Sequence, residues 1–138
     1  MDAKVTWEKK LSFIGTGETH FNVPIGGSVD VGGDEDGFRP MELILIGLAG
    51  CTAMDVISIL KKKQQDIQNF EVQINGERAT EHPKVFTSVK ISYILSGRNI
   101  SRDAVQRAVN LSTEKYCPAQ AMFTKIMPID QEIIIQEI

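Results

Sequence analysis

From Met41 to Leu60 the chain reads MELILIGLAGCTAMDVISIL, with charge only at Glu42 and Asp55. A helix with this composition has no polar face, and a helix that is apolar all round must be covered all round. About six short strands, the most the remaining sequence supplies, can cover only one side of it. The economical solution is a homodimer in which two such helices are enclosed by sheets from both chains. Gly47 and Gly50 would let the helices approach closely. A membrane span is the poorer reading, because the uninterrupted apolar part between Glu42 and Asp55 falls well short of the roughly 20 residues needed to cross.

The 138 residues suit a single domain, 1–138, large enough to bury a core. Lys and Arg number 15 against 18 Asp and Glu, a net charge of -3. That balance argues against nucleic acid or an anionic membrane as partner, since such binders are strongly basic. Lys61-Lys62-Lys63 reads as a solvated helix end, where cations complement the dipole. The first ten residues carry no apolar targeting segment, so a cytoplasmic location is expected, with both thiols starting reduced.

Strands are expected at Ala3–Glu8, Leu11–Gly15 and Thr19–Ile25, followed by a glycine-rich polar loop through Gly37. Pro40 suits the first position of the long helix, with Glu42 facing the positive end of its dipole, and the helix should close near Gln65. Phe70, Val72 and Ile74 alternate with polar residues, as do Val85, Thr87, Val89, Ile91, Tyr93 and Leu95. The link Thr80-Glu81-His82-Pro83 makes these a hairpin with one covered face. Ser101 caps an amphipathic helix with Val105, Ala108, Val109, Ser112 and Tyr116 on one face. A short helix should begin at Pro118, and Ile129–Glu137 reads as a last strand. The expected class is α+β, with antiparallel sheets wrapped around a long central helix.

The chain has two cysteines, Cys51 inside the apolar helix and Cys117 directly before Pro118. Free cysteines are commonly inert core residues. With Pro118 at the first helical position, however, Cys117 becomes the N-cap, its sulfur near unpaired N–H groups that lower thiol pKa. Asp55, one turn after Cys51, would raise the pKa of that thiol. Local reasoning therefore makes Cys117 the more acidic of the two. They lie 66 positions apart, so this is no Cys-x-x-Cys motif. His20 and His82 are isolated, and neither a metal site nor a bound cofactor is implied.

Arg39-Pro40-Met41-Glu42, Gly50-Cys51-Thr52-Ala53-Met54-Asp55-Val56 and Glu114-Lys115-Tyr116-Cys117-Pro118 stand in the order strands, cysteine helix, hairpin, cysteine helix, final strand. In this the chain resembles the OsmC/Ohr family of organic hydroperoxide reductases, and within it the YhfA-like branch. The resemblance implies a swapped homodimer with active sites at the subunit interface, Cys51 as peroxidatic thiol and Cys117 as resolving thiol. The Cys51 thiolate would attack the outer peroxide oxygen and release an alcohol. The resulting sulfenic acid would be captured by Cys117 as a disulfide, and a dithiol reductant such as a lipoyl group would reset it by exchange. This assignment of roles runs against the local argument for acidity at Cys117.

Thiol activation alone cannot supply peroxidase rates. Lowering a thiol pKa from about 8.5 to about 6.5 raises its thiolate fraction at pH 7 roughly 25-fold. The same change lowers nucleophilicity about 8-fold, leaving about threefold. Groups that place the peroxide and stabilise the departing alkoxide must provide the rest. The resemblance implies an arginine and a glutamate. Glu42 matches the family position, nine residues before Cys51; on a straight helix that offset is the opposite face with a rise of about 13.5 Å, which favours a site completed across a dimer. The alternative for Glu42 is a first-turn dipole partner. The family arginine lies on an earlier loop, and here Ser28–Gly33 contains none. Arg39 is the nearest candidate, its alternative an ordinary helix-start residue.

Two further functions fit the same architecture. A non-enzymatic member of the fold would bind small apolar ligands or sense redox state, and would tolerate Arg39→Ala. A hot-dog-type acyl thioesterase would centre on an acid such as Glu42 or Asp55 and survive loss of both thiols.

Overall fold

The computed structural model describes all 138 residues, Met1–Ile138, as an α+β fold with two three-stranded sheets and one long helix. Two compact units divide the chain, Met1–Ile44 and Leu45–Ile138. The first holds β1 (Ala3–Lys9), β2 (Ser12–Gly17) and β3 (Asn22–Ile25), an antiparallel meander in that order. A 3-10 turn at Val29–Val31 follows. The glycines of this unit serve close packing: a Cβ on Gly33 would meet the Gly27 carbonyl oxygen at 2.1 Å, so the loop can fold back on itself only without side chains there.

The helix α1 runs from Pro40 to Lys62, three residues short of the expected end. Gln64, with a positive φ of 56°, turns the chain out of the helix, the role a left-handed residue plays at helix ends. In the second unit β4 (Asp66–Arg78) and β5 (Phe86–Arg98) form the expected antiparallel hairpin. After it come α2 (Arg102–Leu111), a π-helical turn at Ser112–Tyr116, α3 (Pro118–Phe123) and β6 (Ile129–Glu137).

Three further details depart from expectation, each for an identifiable reason. The second sheet is mixed, because β6 pairs with β5 in parallel register, Val89 opposite Ile129 through Gly97 opposite Glu137. The chain between them passes through two helices, and a helical crossover returns a strand parallel to its start. In β5 the covered face includes Phe86 in place of Val85 and Thr87, since a register shift between Glu77 and Arg78 adds one residue and reverses facing beyond it. The Phe86 ring then lies over Gly76, where a Cβ would meet it at 2.8 Å. Tyr116, expected on the buried face of its helix, is half exposed. The π turn inserts an extra residue per turn before it, so the 3.6-residue face that holds Val105, Ala108, Val109 and Ser112 no longer includes position 116.

The core belongs to the second unit. Leu48, Val56 and Leu60 of α1 pack with Val89, Ile91, Tyr93 and Leu95 of β5 and Val105, Ala108 and Val109 of α2, each at most 2% exposed. α1 thereby supplies a face of the core; counted over all 23 residues, with Glu42 and Asp55 included, it is long and apolar enough to cross a membrane, unlike the shorter uninterrupted run between those two charges. Its burial is one-sided: Ile46 is 49% and Met54 74% exposed, and nothing lies within 4 Å of a Cβ built on Gly47 or Gly50.

Candidate active site

Local chemistry places Cys117 as expected. Pro118 occupies the first turn of α3, and Cys117 is the N-cap, with an extended backbone and a sulfur that accepts a hydrogen bond from the Gln120 N–H at 3.4 Å. A π turn delivers it there, the Cys117 N–H bonding the Ser112 carbonyl at 2.8 Å. Such turns recur at functional sites because they displace a side chain from helical register.

The two thiols, remote in sequence, meet in the second unit. The Cys51 sulfur is near enough to Cys117 to help hold its proton, and both are free thiols, Cys117 buried and Cys51 half-buried. At Cys117 the electrostatics oppose the acidity expected from the N-cap. Burial pushes the Cys117 thiol up to about 12, aided by the adjacent Cys51 sulfur and opposed by the N–H groups of Gln120 and Ala119. The cap lowers the pKa as reasoned, but at 2% exposure the cost of desolvating a thiolate is larger. Cys117 is a protonated thiol at neutral pH.

A polar cluster unseen in the sequence surrounds this pair. Thr52, the residue after Cys51, has its hydroxyl 2.9 Å from the Tyr93 hydroxyl, 2.8 Å from that of Ser112 and 3.0 Å from the Gln120 amide nitrogen. Ser112 donates to the Asp55 carboxylate at 2.9 Å. Gln131 donates to the Gln120 side-chain oxygen at 3.1 Å and to Thr113 at 2.8 Å. Thr52, Tyr93, Ser112 and Gln120 are completely buried, and no buried side-chain nitrogen or oxygen lacks a partner. Desolvation raises the Tyr93 phenol, with the nearby Cys117 sulfur adding to the shift. A cavity of about 280 Å³ opens beside the cluster, lined by Asp55, Ser58, Ile59, Lys62, Leu111 and Tyr116. Its walls adjoin both thiols in sequence: Asp55 is one turn after Cys51, and Tyr116 directly precedes Cys117.

Arg39 and Glu42 sit in the first unit. Glu42 accepts a hydrogen bond from the Arg39 N–H at 3.0 Å, the third-position carboxylate reaching back to the N-cap as in half of a capping box. Arg39 donates to the carbonyls of Gly26 and Gly37 at 3.1 and 3.2 Å and pairs with Glu35 at 3.6 Å. It also lines a largely apolar cavity of about 300 Å³ with Leu11, Phe13, Ile25, Val31 and Pro40. Both residues therefore have structural work at the helix start. No cluster of His, Cys, Asp and Glu suited to a metal ion is present.

Residues 32–132 match the family described as OsmC-like protein. The chain is 39% identical to protein YhfA of Escherichia coli strain K12 over 94% of its own length and 93% of that protein's. The chain belongs to the OsmC-like family. Among solved structures, a hypothetical protein from Aquifex aeolicus superposes with a TM-score of 0.86 at 26% identity, covering 99% of this chain and 96% of that one. An organic hydroperoxide resistance protein, OsmC, from Legionella pneumophila does so with a TM-score of 0.72, covering 96% and 95%. At 12% identity the latter likeness concerns the fold alone. This OsmC-like chain thus has the family's order of elements, with its two thiols adjacent.

Proposed function

We propose that this chain is a cytoplasmic thiol peroxidase for organic hydroperoxides, with Cys51 as the attacking thiol and Cys117 as the resolving one. The observation that carries the reading is the meeting of two free thiols 66 positions apart, in a chain of the OsmC-like family. The division of roles follows from burial. Cys117, held protonated, is a poor nucleophile toward peroxide, since the thiolate is the reactive form. Cys51 is the more accessible sulfur. Its thiolate forms an S–O bond with the outer peroxide oxygen, the O–O bond breaks, and the alkoxide takes a proton and leaves as an alcohol.

Cys117 then displaces hydroxide from the sulfenic acid, giving the Cys51–Cys117 disulfide. Its own proton leaves with the hydroxide as water. A dithiol such as a dihydrolipoyl group returns both cysteines to thiols by two exchange steps. Arg39 and Glu42 are assigned to place the peroxide and stabilise the alkoxide, as the family resemblance implies. The working form is a homodimer: a stripe of Ile46, Gly47, Gly50 and Met54 on α1 is exposed, and only a second apolar surface can cover it favourably.

A second reading, a redox-sensing or ligand-binding OsmC-like protein, is favoured by one observation: the Arg39 guanidinium is already tied to Gly26, Gly37 and Glu35. Steady-state reduction of cumene hydroperoxide with dihydrolipoamide tests both. The peroxidase reading expects no turnover in Cys51→Ser or Cys117→Ser, and about a hundredfold loss of kcat/KM in Arg39→Ala, as for loss of one charge-stabilising donor. Unimpaired turnover in Cys51→Ser would eliminate it. A wild type that oxidises once but does not turn over, with Arg39→Ala unchanged, would favour the sensor.

A further inference from the structure

We infer that the buried polar cluster is a clamp that sets the reach between Cys51 and Cys117, with Thr52 and Gln120 as positioning residues for disulfide closure. This rests on the two-cysteine reading and gives Thr52 and Gln120 a role that neither thiol chemistry nor the family resemblance assigns.

The hydrogen-bond directions are fixed by elimination. A carboxylate only accepts, so the single Ser112 hydroxyl proton goes to Asp55. The Ser112–Thr52 contact must then be donated by Thr52, which spends the Thr52 proton. The Thr52–Tyr93 contact must therefore be donated by Tyr93. Thr52 also accepts from the Gln120 amide, so its one donor and two acceptor sites are all used. The result is a directed chain, Tyr93 to Thr52 to Ser112 to Asp55, anchored at its other side by Gln120 and Gln131.

The chain joins every element that carries a thiol or its support. Thr52 and Asp55 lie on α1 with Cys51. Ser112 opens the π turn that leads to Cys117, and its carbonyl holds the Cys117 N–H. Gln120 lies on α3, where its own N–H holds the Cys117 sulfur. Tyr93 and Gln131 fix the cluster to the sheet. Apolar packing alone would fill this space at least as stably, since buried polar groups gain little net energy even when satisfied. What hydrogen bonds near 2.9 Å add is a defined distance and angle between elements.

Closure of the disulfide needs that definition. The Cys117 sulfur forms a bond to the Cys51 sulfur as the S–O bond breaks, and the thiol proton departs with the hydroxide as water. Well-oriented intramolecular reactions gain effective concentrations of about 10⁵–10⁸ M, and a misplacement of about 1 Å costs about a hundredfold. Slow closure leaves the sulfenic acid open to a second hydroperoxide and conversion to sulfinic acid.

The test is Thr52→Val, which keeps shape and removes the hydroxyl, with Thr52→Ser as the rescue. Rapid mixing with cumene hydroperoxide resolves two steps, sulfenic acid trapped by dimedone and disulfide seen by non-reducing mass analysis. A parallel arm closes the dithiol with diamide, which takes two electrons and two protons and needs no peroxide. Thr52→Val is expected to form sulfenic acid within twofold of the wild-type rate and to close at least tenfold more slowly in both arms, with more sulfinic acid at excess peroxide. Thr52→Ser is expected to restore closure. Wild-type closure by folded Thr52→Val, or a Thr52→Ser variant as slow as Thr52→Val, would overturn the clamp. Should Thr52→Val not fold, Gln131→Leu at the outer end of the chain is read in the same way: closure slowed severalfold supports the clamp, and an unchanged rate removes it. A wild type inert to hydroperoxide but clamp-dependent with diamide would sink the peroxidase reading alone.

Discussion

Cys117 is subject to two opposing influences on one sulfur. The α3 N-terminus offers it N–H groups, yet burial and a neighbouring thiol hold its proton in place. Alkylation at neutral pH should therefore modify Cys51 first, leaving Cys117 at least tenfold slower, as peptide mapping after iodoacetamide would read; equal labelling would contradict the assignment. The same shift has a consequence for stability. A thiol whose folded pKa is raised binds its proton more tightly in the native chain. Its contribution is complete below the unfolded value, near 9, and is lost as pH rises toward about 12. Denaturant midpoints of the reduced wild type should fall between pH 9 and 12 by more than those of Cys117→Ser. Tyr93→Phe belongs to the same scale: removing a buried hydroxyl that donates to Thr52 should cost about 1–3 kcal/mol in urea unfolding, whereas an exposed tyrosine would cost almost nothing.

Elements were legible where one local signal fixed them. Pro40 with Glu42, Ser101 and Pro118 each mark a helix start, and the three helices begin at Pro40, Arg102 and Pro118. Ser101 accepts from the Ala104 N–H at 3.2 Å, so Ser101→Ala should cost about 1 kcal/mol, measurable as a shift in midpoint with unchanged slope. The features that escaped depend on a second element. The β5 bulge at Thr87 that turns Phe86 to the covered face is set by pairing, and the parallel return of β6 by the crossover. The π turn leaves no compositional mark in Ser112–Tyr116. Thr52, Ser112, Gln120 and Gln131 are scattered over 80 positions and become one cluster only when α1, α3 and the sheet meet. Thr52 and Asp55 on a mostly apolar helix were the available signals, since a buried polar group requires a partner. Likewise the acidity of Cys117 was misjudged because its cap is visible locally and its burial is not.

At the scale of the whole molecule, α1 ties the argument together: its composition demands cover on every side, and the chain covers one. A homodimer should give a light-scattering mass of two chains, and Met54→Glu, on the exposed stripe, should shift it toward one. A wild type that stays single at tens of micromolar would contradict the proposed assembly. The central claim, however, is chemical: two distant cysteines form one redox centre. One equivalent of cumene hydroperoxide added to the reduced protein, followed by non-reducing peptide mass analysis, tests it most directly. The account predicts an intrachain Cys51–Cys117 linkage, absent from either serine variant, while two unmodified thiols after that dose would contradict it.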